Sequence, residues 1–494
     1  MSSTTLDPSA RAGVAGRPPA NATLVLVLVC LAQFMVVLDA TIVNVALPSI
    51  QSDLQFSATD LQWVINGYTL MFGGFLLLGG RAADLFGRKR LFLAGIALFT
   101  AASLVNGLAE SSVVLVVARA FQGLGAALVS PAALSIITTT YPEGPERTRA
   151  LGVWGAIAAG GGAFGLLLGG VLTDALSWEW IFFVNLPVGI AAFVLSQRFV
   201  PESRLTTRAG GFDVGGAILS TGGLVMLTYA IVKAESFGWT DPRTLGLGLG
   251  GLGLLGVFLA LEARHRAPLV RLGIFRIRSL ATANASMLLV AGGLFAFFFF
   301  GSLYLQQVQG YDALQTGLAF LPMTAGIMAG SILSQALIRR FGVKPVLIGG
   351  LTMAALGMVY LTRLDVDSTY AGGLLPGLIL LAVGMGNTFV PLTLTATTNV
   401  EGDDQGLASG IFNTSQQVGG ALGLAILSTV ASATTSSERA AGAADPAALV
   451  AGFTDAFTVG AGLMILGAVL AAFLLRRRDV QHVDVTDAMA VAAA

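Results

Sequence analysis

Two ionisable side chains stand alone inside otherwise uncharged apolar runs, Asp39 and Arg119. A charge at membrane depth is costly and is retained when it does something, so this is where chemistry is expected. Counted from Thr23, Asp39 is 16 residues in, about 24 Å along a helix rising ~1.5 Å per residue. Arg119 is 7 residues past Ser112, about 10 Å from one face and hence roughly 20 Å from the other face of a ~30 Å hydrocarbon core. The heights match. The two can therefore face one cavity, with Gln33, Asn44, Tyr68 and Gln122 as polar lining. A carboxyl so placed can take up and release a proton, because burial disfavours its charge while a guanidinium favours it.

Other chemistries lack their residues. The single cysteine, Cys30, excludes an intrachain disulfide and a cysteine-based metal site. His265 and His482 fall in charged loop and tail segments with no second ligand nearby. There is no Gly-x4-Gly-Lys-Ser/Thr phosphate loop. No metal, catalytic residue or cofactor is expected, and the chain is not expected to be an enzyme.

The elements that must position Asp39 and Arg119 are membrane helices. Hydrophobic residues make up 55% of the chain and charged residues 11%, against about 25% charged in soluble domains. Mean hydropathy is +0.81. Fourteen spans are expected, near 22–50, 61–80, 91–109, 113–137, 150–173, 181–199, 213–232, 244–261, 280–304, 313–338, 346–362, 372–398, 408–433 and 451–475. The run after the polar segment 1–21 has no small-residue cleavage site following a short core, so it reads as span 1 rather than as a signal peptide. The bilayer is thus a partner, and with no pooled basic patch nucleic acid is not.

Loop charge orients the threading. Spans 2 and 3 are joined by the hinge Gly80-Arg81-Ala82-Ala83-Asp84-Leu85-Phe86-Gly87-Arg88-Lys89-Arg90. Of the 27 lysines and arginines, 22 fall in this hinge, the two termini and every second loop after the hinge; Lys233, Arg243, Arg363 and Arg439 fall in the intervening loops. Lys and Arg stay inside, so the hinge and both termini are expected in the cytoplasm.

An internal repeat divides the chain. Phe86-Gly87-Arg88-Lys89 returns as Phe341-Gly342-Val343-Lys344, an offset of 255, and Gly152, Gly161 and Gly165 return as Gly410, Gly419 and Gly423, an offset of 258. Two matches at nearly equal offsets point to a duplicated six-helix unit, an arrangement that places a site between the halves. The expected division is a tail (1–21), a six-helix bundle (22–200), two inserted helices (201–265), a second six-helix bundle (266–478) and a tail (479–494).

With these motifs in view, the sequence resembles the major facilitator superfamily, and within it the fourteen-helix drug:proton antiporters. Gly80-x-x-Ala83-Asp84-x-x-Gly87-Arg88-Lys89 is similar to the superfamily's hinge. Leu38-Asp39-Ala40-Thr41-Ile42-Val43-Asn44-Val45-Ala46-Leu47-Pro48 resembles the group's span 1 motif, and Arg119-Ala120-Phe121-Gln122-Gly123-Leu124-Gly125-Ala126 its span 4 motif, linked to proton coupling. Trp178-Glu179-Trp180-Ile181-Phe182-Phe183-Val184-Asn185-Leu186-Pro187 resembles it too, with Glu179 where a basic residue is usual. The span 5 glycines, Gly152, Gly161, Gly165, Gly169 and Gly170, are similar to the antiporter signature, but Leu166 replaces its usual proline.

The resemblance implies an all-α polytopic membrane protein with fourteen transmembrane helices, two six-helix halves plus two inserted helices. It implies a proton-coupled antiporter of the cell membrane that exports hydrophobic small molecules, of the multidrug efflux and antibiotic resistance kind, acting as a monomer. A nutrient or metabolite symporter or uniporter is the alternative on the same fold. Asp39 and Arg119 would carry proton coupling and substrate competition. Gly80, Asp84, Gly87, Arg88 and Lys89 would form a cytoplasmic gate in which Asp84 sits at the N-terminus of span 3 and the cations reach acceptors on the neighbouring bundle; the other reading is topology alone. The span 5 glycines form either a tight packing seam or a seam that also resists ion leak. From the second half, Phe297, Tyr304, Asn387 and Asn413 are expected to help line the substrate cavity.

Overall fold

The computed structural model describes residues 21–141, 144–203, 213–265, 268–400 and 404–480, and among them it contains helices and no strands. A chain crossing lipid must satisfy its backbone within each segment, which for these apolar runs means helices. They are α1 (Ala22–Asp53), α2 (Trp63–Phe86), α3 (Arg88–Gly107), α4 (Ser112–Thr140), α5 (Pro145–Ala175), α6 (Trp180–Phe183), α7 (Asn185–Phe199), α8 (Val214–Phe237) and α9 (Pro242–Glu262). Then follow α10 (Arg278–Leu303), α11 (Ala313–Ala319), α12 (Leu321–Phe341), α13 (Val343–Leu361), α14 (Leu375–Thr397), α15 (Gln405–Ala440) and α16 (Asp445–Leu474).

Among the described residues, 13 helices are long and apolar enough to cross a membrane. They coincide with thirteen of the expected spans. The remaining one, 150–173, falls in α5, whose side chains are described only in part. Span 6 is broken at Val184 into α6 and α7, where Pro187 sits in the first turn of α7, a position at which its missing N–H costs nothing. Span 10 is likewise broken at Phe320, with Pro322 opening α12.

The repeat has a structural counterpart. Gly87 separates α2 from α3 at φ +110°, and Gly342 separates α12 from α13 at φ +86°, backbone angles that other residues adopt only with strain. Each closes the helix before it: the Gly87 N–H donates to the Ala83 carbonyl at 3.1 Å and the Gly342 N–H to Ile338 at 2.8 Å. Small residues then let helices touch at the backbone. A Cβ on Gly165 of α5 would stand 2.1 Å from Thr41 Oγ1 of α1, and one on Gly423 of α15 would stand 2.1 Å from the Gly292 Cα of α10. The same span thus packs on the first helix of its own half at both places.

Helices α8 and α9 pack on each other and, through α8, on α2 and α15. Lys233, read as a loop residue from the sequence, lies on α8 and pairs with Asp60 at 2.7 Å, and Thr429 of α15 donates to the Ile231 carbonyl at 3.1 Å. On the side opposite the hinge, α1 is tied to α10 and its continuation: Ser302 Oγ donates to Asn44 O at 2.7 Å, Gln306 to Val45 O at 2.8 Å and Gln307 to Gln51 Oε1 at 2.8 Å.

Candidate functional site

Helix α1 carries Asp39 into the interior of the first bundle, where α4 presents Arg119 and, one turn on, Gln122. Asp39 and Arg119 are both 0% exposed. Arg119 Nη1 donates to Asp39 Oδ2 at 2.5 Å and to Gln122 Oε1 at 2.8 Å, while Nε donates to the Val64 carbonyl of α2 at 2.9 Å. The other carboxylate oxygen accepts from Gln122 Nε2 at 2.7 Å and from Asn185 Nδ2 of α7 at 3.1 Å. Gln122 is itself held from α3: it donates to Ser103 Oγ at 2.7 Å and accepts from Asn106 Nδ2 at 2.7 Å. The guanidinium lies 4.4 Å from the centre of the Tyr68 ring and 5.8 Å from that of Phe182, within the range of cation–π attraction.

Two charges removed from water survive only when their geometry and remaining hydrogen bonds are good. Five helices supply most of those bonds here, with Arg119 Nη2 buried and left without a hydrogen-bond partner among the described residues. Neutralising Asp39 with a proton would leave the carboxyl hydrogen-bonded but strip Arg119 of its counter-charge, so one proton changes the balance that holds α1 against α4.

The sequence placed Asp39 and Arg119 at one height, and they meet. The surrounding lining differs from the expectation. Tyr68 and Gln122 join the cluster, and Tyr68 donates to the Val36 carbonyl at 3.3 Å. Gln33 is buried, but no hydrogen bond ties it to the pair. Asn44 turns back on its own helix, donating to Thr41 O at 3.1 Å. The pair is fully buried, and Ser103 and Asn106 of α3 and Asn185 of α7 complete the hydrogen-bonded cluster around it. Those three polar residues were not singled out from the sequence as site residues; the signal available was polarity within apolar spans.

The second-half residues are not brought to this cluster. Phe297 is core, its ring 6.0 Å from Phe320 and 6.2 Å from Phe457. Tyr304 donates to the Asp365 carbonyl at 2.9 Å, Asn387 to Val383 O at 2.9 Å, and exposed Asn413 to Ser409 O at 3.2 Å. The last two bonds run to the preceding turn of the residue's own helix, the ordinary way a polar side chain is satisfied in an apolar span.

The hinge corrects the sequence reading twice. Asp84 lies in the last turn of α2, not at the start of α3, because the helix break is at Gly87. There the helix dipole opposes a carboxylate, and Arg88 of α3 compensates at 3.0 Å. The cations find acceptors in the last turns of α7 and on the chain just after it, within the same half, rather than on the neighbouring bundle. Lys89 Nζ donates to Gln197 O at 2.6 Å, the Lys89 N–H to Glu202 Oε1 at 3.2 Å, and Arg90 Nε stands 3.6 Å from Glu202 Oε2. A Cβ on Gly80 would meet Pro131 at an ordinary contact distance, 3.5 Å. Replacing Asp84 by Asn removes a partly exposed pair worth under about 1 kcal/mol, so the variant is expected to reach the membrane in normal amount. Its turnover per molecule is expected to fall severalfold; unchanged turnover at equal protein level would reduce Asp84 to a local helix-end contact.

Of the α5 glycines, Gly161, Gly165 and Gly169 face α1, where a Cβ on Gly169 would stand 2.7 Å from the Ile42 carbonyl oxygen, whereas a Cβ on Gly152 would meet nothing within 4 Å. Gly170 faces α11: its Cβ would be 2.6 Å from Ala313 O, and a Cβ on Gly317 would be 2.5 Å from the carbonyl of Leu166, the residue standing in the proline slot. This crossing joins the two halves on the side opposite the hinge. Among the described residues no group of three or more His, Cys, Asp or Glu is placed to hold a metal ion; His482 and the segment after 480 lie outside them.

A family model described as Major Facilitator Superfamily matches residues 29–424. The puromycin resistance protein pur8 of Streptomyces alboniger is 44% identical over 464 residues, covering 92% of this chain and 91% of that protein. The cephamycin export protein CmcT of Amycolatopsis lactamdurans is 41% identical, covering 91% and 92%. Among solved structures, the POT family transporter PepTSo superposes with a TM-score of 0.68 over 95% of this chain and 100% of that one, at 18% identity, a likeness of fold.

Proposed function

The chain belongs to the Major Facilitator Superfamily, and on that premise we propose that it exports hydrophobic small molecules, antibiotics among them, from the cell in exchange for protons. Similarity to antibiotic resistance and export proteins over more than nine-tenths of the chain supports export. The proton-coupled part is carried by one observation: a carboxylate and a guanidinium, both fully buried, are paired at 2.5 Å inside a hydrogen-bonded cluster drawn from five helices. With Asp39, Arg119 and Gln122 all 0% exposed in this form, the proposed coupling runs through the pair's hold on its helices. A proton on Asp39 cancels its attraction for Arg119 and frees α1 to move against α4, and substrate release and proton uptake then belong to the same rearrangement.

Residues 22–200 and 266–478 act as the two rocking halves of a monomer, with 201–265 inserted between them. The hinge side and both termini are cytoplasmic, as the Lys and Arg distribution supports. With the opposite ends of α1 and α10 bonded together, the arrangement corresponds to the form closed toward the outside. Reporter fusions after residues 204 and 478 are expected to report cytoplasm, and fusions after 236 and 367 the exterior; one reversal breaks the threading. Export itself is checked by expressing the chain in a sensitive host and measuring tolerance to puromycin, lincomycin and a cephamycin. A raised tolerance that disappears when the proton gradient is collapsed is expected, and unchanged tolerance to every compound tried, with the protein in the membrane, counts against export.

A further inference from the structure

We propose that a cleft on the side opposite the hinge is a separate binding site, for a small uncharged molecule that joins one aromatic ring to a hydroxyl or carbonyl. The cleft encloses about 240 Å³, less than the ~300–1,000 Å³ that drug-sized ligands occupy. It therefore accepts a ring-sized molecule or a ring-sized portion of a larger one. Gln51 and Leu61 come from the first half, and Phe299, Phe300 and Phe453 from the second. The three rings form one wall, with centroids 5.1 Å apart for Phe299 and Phe300 and 5.5 Å for Phe300 and Phe453. Aromatic walls of this kind favour a flat apolar guest.

The facing wall is α15, which presents Ser428, Ser432, Thr435 and Ser436 at helical spacing, ending in Arg439. Ser428 is 11 residues before Arg439, about 16 Å down the helix at ~1.5 Å per residue. Only 4% exposed, Ser428 is one of the residues lining the cleft, and its buried hydroxyl has no hydrogen-bond partner among the described residues. Serines on a helix ordinarily bond the preceding turn, and a buried polar group left unpaired needs a reason. A ligand hydroxyl or carbonyl at the deep end supplies one. At the mouth Arg439 is already paired with Asp445 at 2.8 Å, so the rim carries no net charge to select an ion. No residue is shared with the Asp39 cluster. Because both halves form the walls, an occupant holds them together on this side.

The test uses the full-length protein in lipid nanodiscs and a trifluoromethyl-diazirine derivative of benzyl alcohol, photolysed and mapped by peptide mass spectrometry. Labelling is expected on residues 428–439 or on Phe299 and Phe300, saturable by unlabelled benzyl alcohol. Ser428→Ala is expected to weaken it roughly three- to tenfold, the loss of one hydrogen bond. Ser436→Trp, at an exposed position on the rim, is expected to block it while leaving the fold intact. The same diazirine without its hydroxyl is expected to label wild type and Ser428→Ala alike. Labelling that does not saturate, that spreads over the lipid-facing helices, or that is equal in the three proteins overturns the proposal.

Discussion

Replacing Asp39 by Asn is expected to abolish proton-driven export, because the amide accepts no proton and cannot report the gradient to α1 and α4. The variant also leaves Arg119 fully buried without its counter-charge, a loss of about 3–5 kcal/mol when one member of a buried pair is removed. Lower membrane abundance is therefore expected alongside lost function, and export must be normalised to protein present. The double replacement Asp39→Asn with Arg119→Gln takes away both charges. It is expected to recover most of the lost stability, since a buried pair often breaks even against neutral groups, and to remain unable to export uphill. Export restored in the double variant would make the pair a structural element only.

The second large effect is expected at the crossing of α5 and α11. A Cβ on Gly317 would stand 2.5 Å from the Leu166 carbonyl, a backbone atom that cannot swing aside. Overpacking of this kind costs about 1–3 kcal/mol. Imposed only on the form in which these helices touch, the cost shifts the equilibrium between forms by roughly 5–150-fold. Gly317→Val is thus expected to fold within each half yet open the side opposite the hinge and depress export. Cysteines placed at Gln51 and Gln307, whose side-chain ends are 2.8 Å apart, give the reading through a bifunctional thiol reagent, since two glutamines meeting at their tips leave cysteine sulfurs too far apart for a direct disulfide. They are expected to cross-link readily in the parent and poorly with Gly317→Val; equal cross-linking would remove the crossing from the transport cycle.

Residue type and depth made part of this site legible in the sequence. Asp39 and Arg119 could be paired because helical rise converts residue counts into height, and few charges at that height compete. Gly87 and Gly342 were legible as a repeat, and both proved to be the left-handed break between two helices. Orientation about a helix axis was not legible. The hydrophobic runs are apolar on every side, so nothing marked Asn185, Ser103 and Asn106 as facing Asp39, or Asn44 as facing away. Phe297 illustrates the same limit, one ring of four in a row whose burial depends on Phe320 and Phe457 from distant helices. The hinge failed by a shorter distance: a boundary at Gly87 rather than before Asp84 moves the acid from one helix end to the other. Glu202 then took the role assigned to the neighbouring bundle, a tertiary pairing across more than a hundred residues that no local spacing encodes.

The central claim is that substrate leaving and protons entering share one cycle that passes through Asp39. Proteoliposomes holding the purified chain and a trapped pH indicator test it most directly, with puromycin, or whichever compound the host assay identifies, as the driving solute. A substrate gradient imposed at uniform pH is expected to drive protons in the opposite direction to the substrate, and the Asp39→Asn/Arg119→Gln protein is expected to move none. Protons moving with the substrate, substrate flux with no proton movement, or full proton counterflow in the doubly substituted protein would contradict the account.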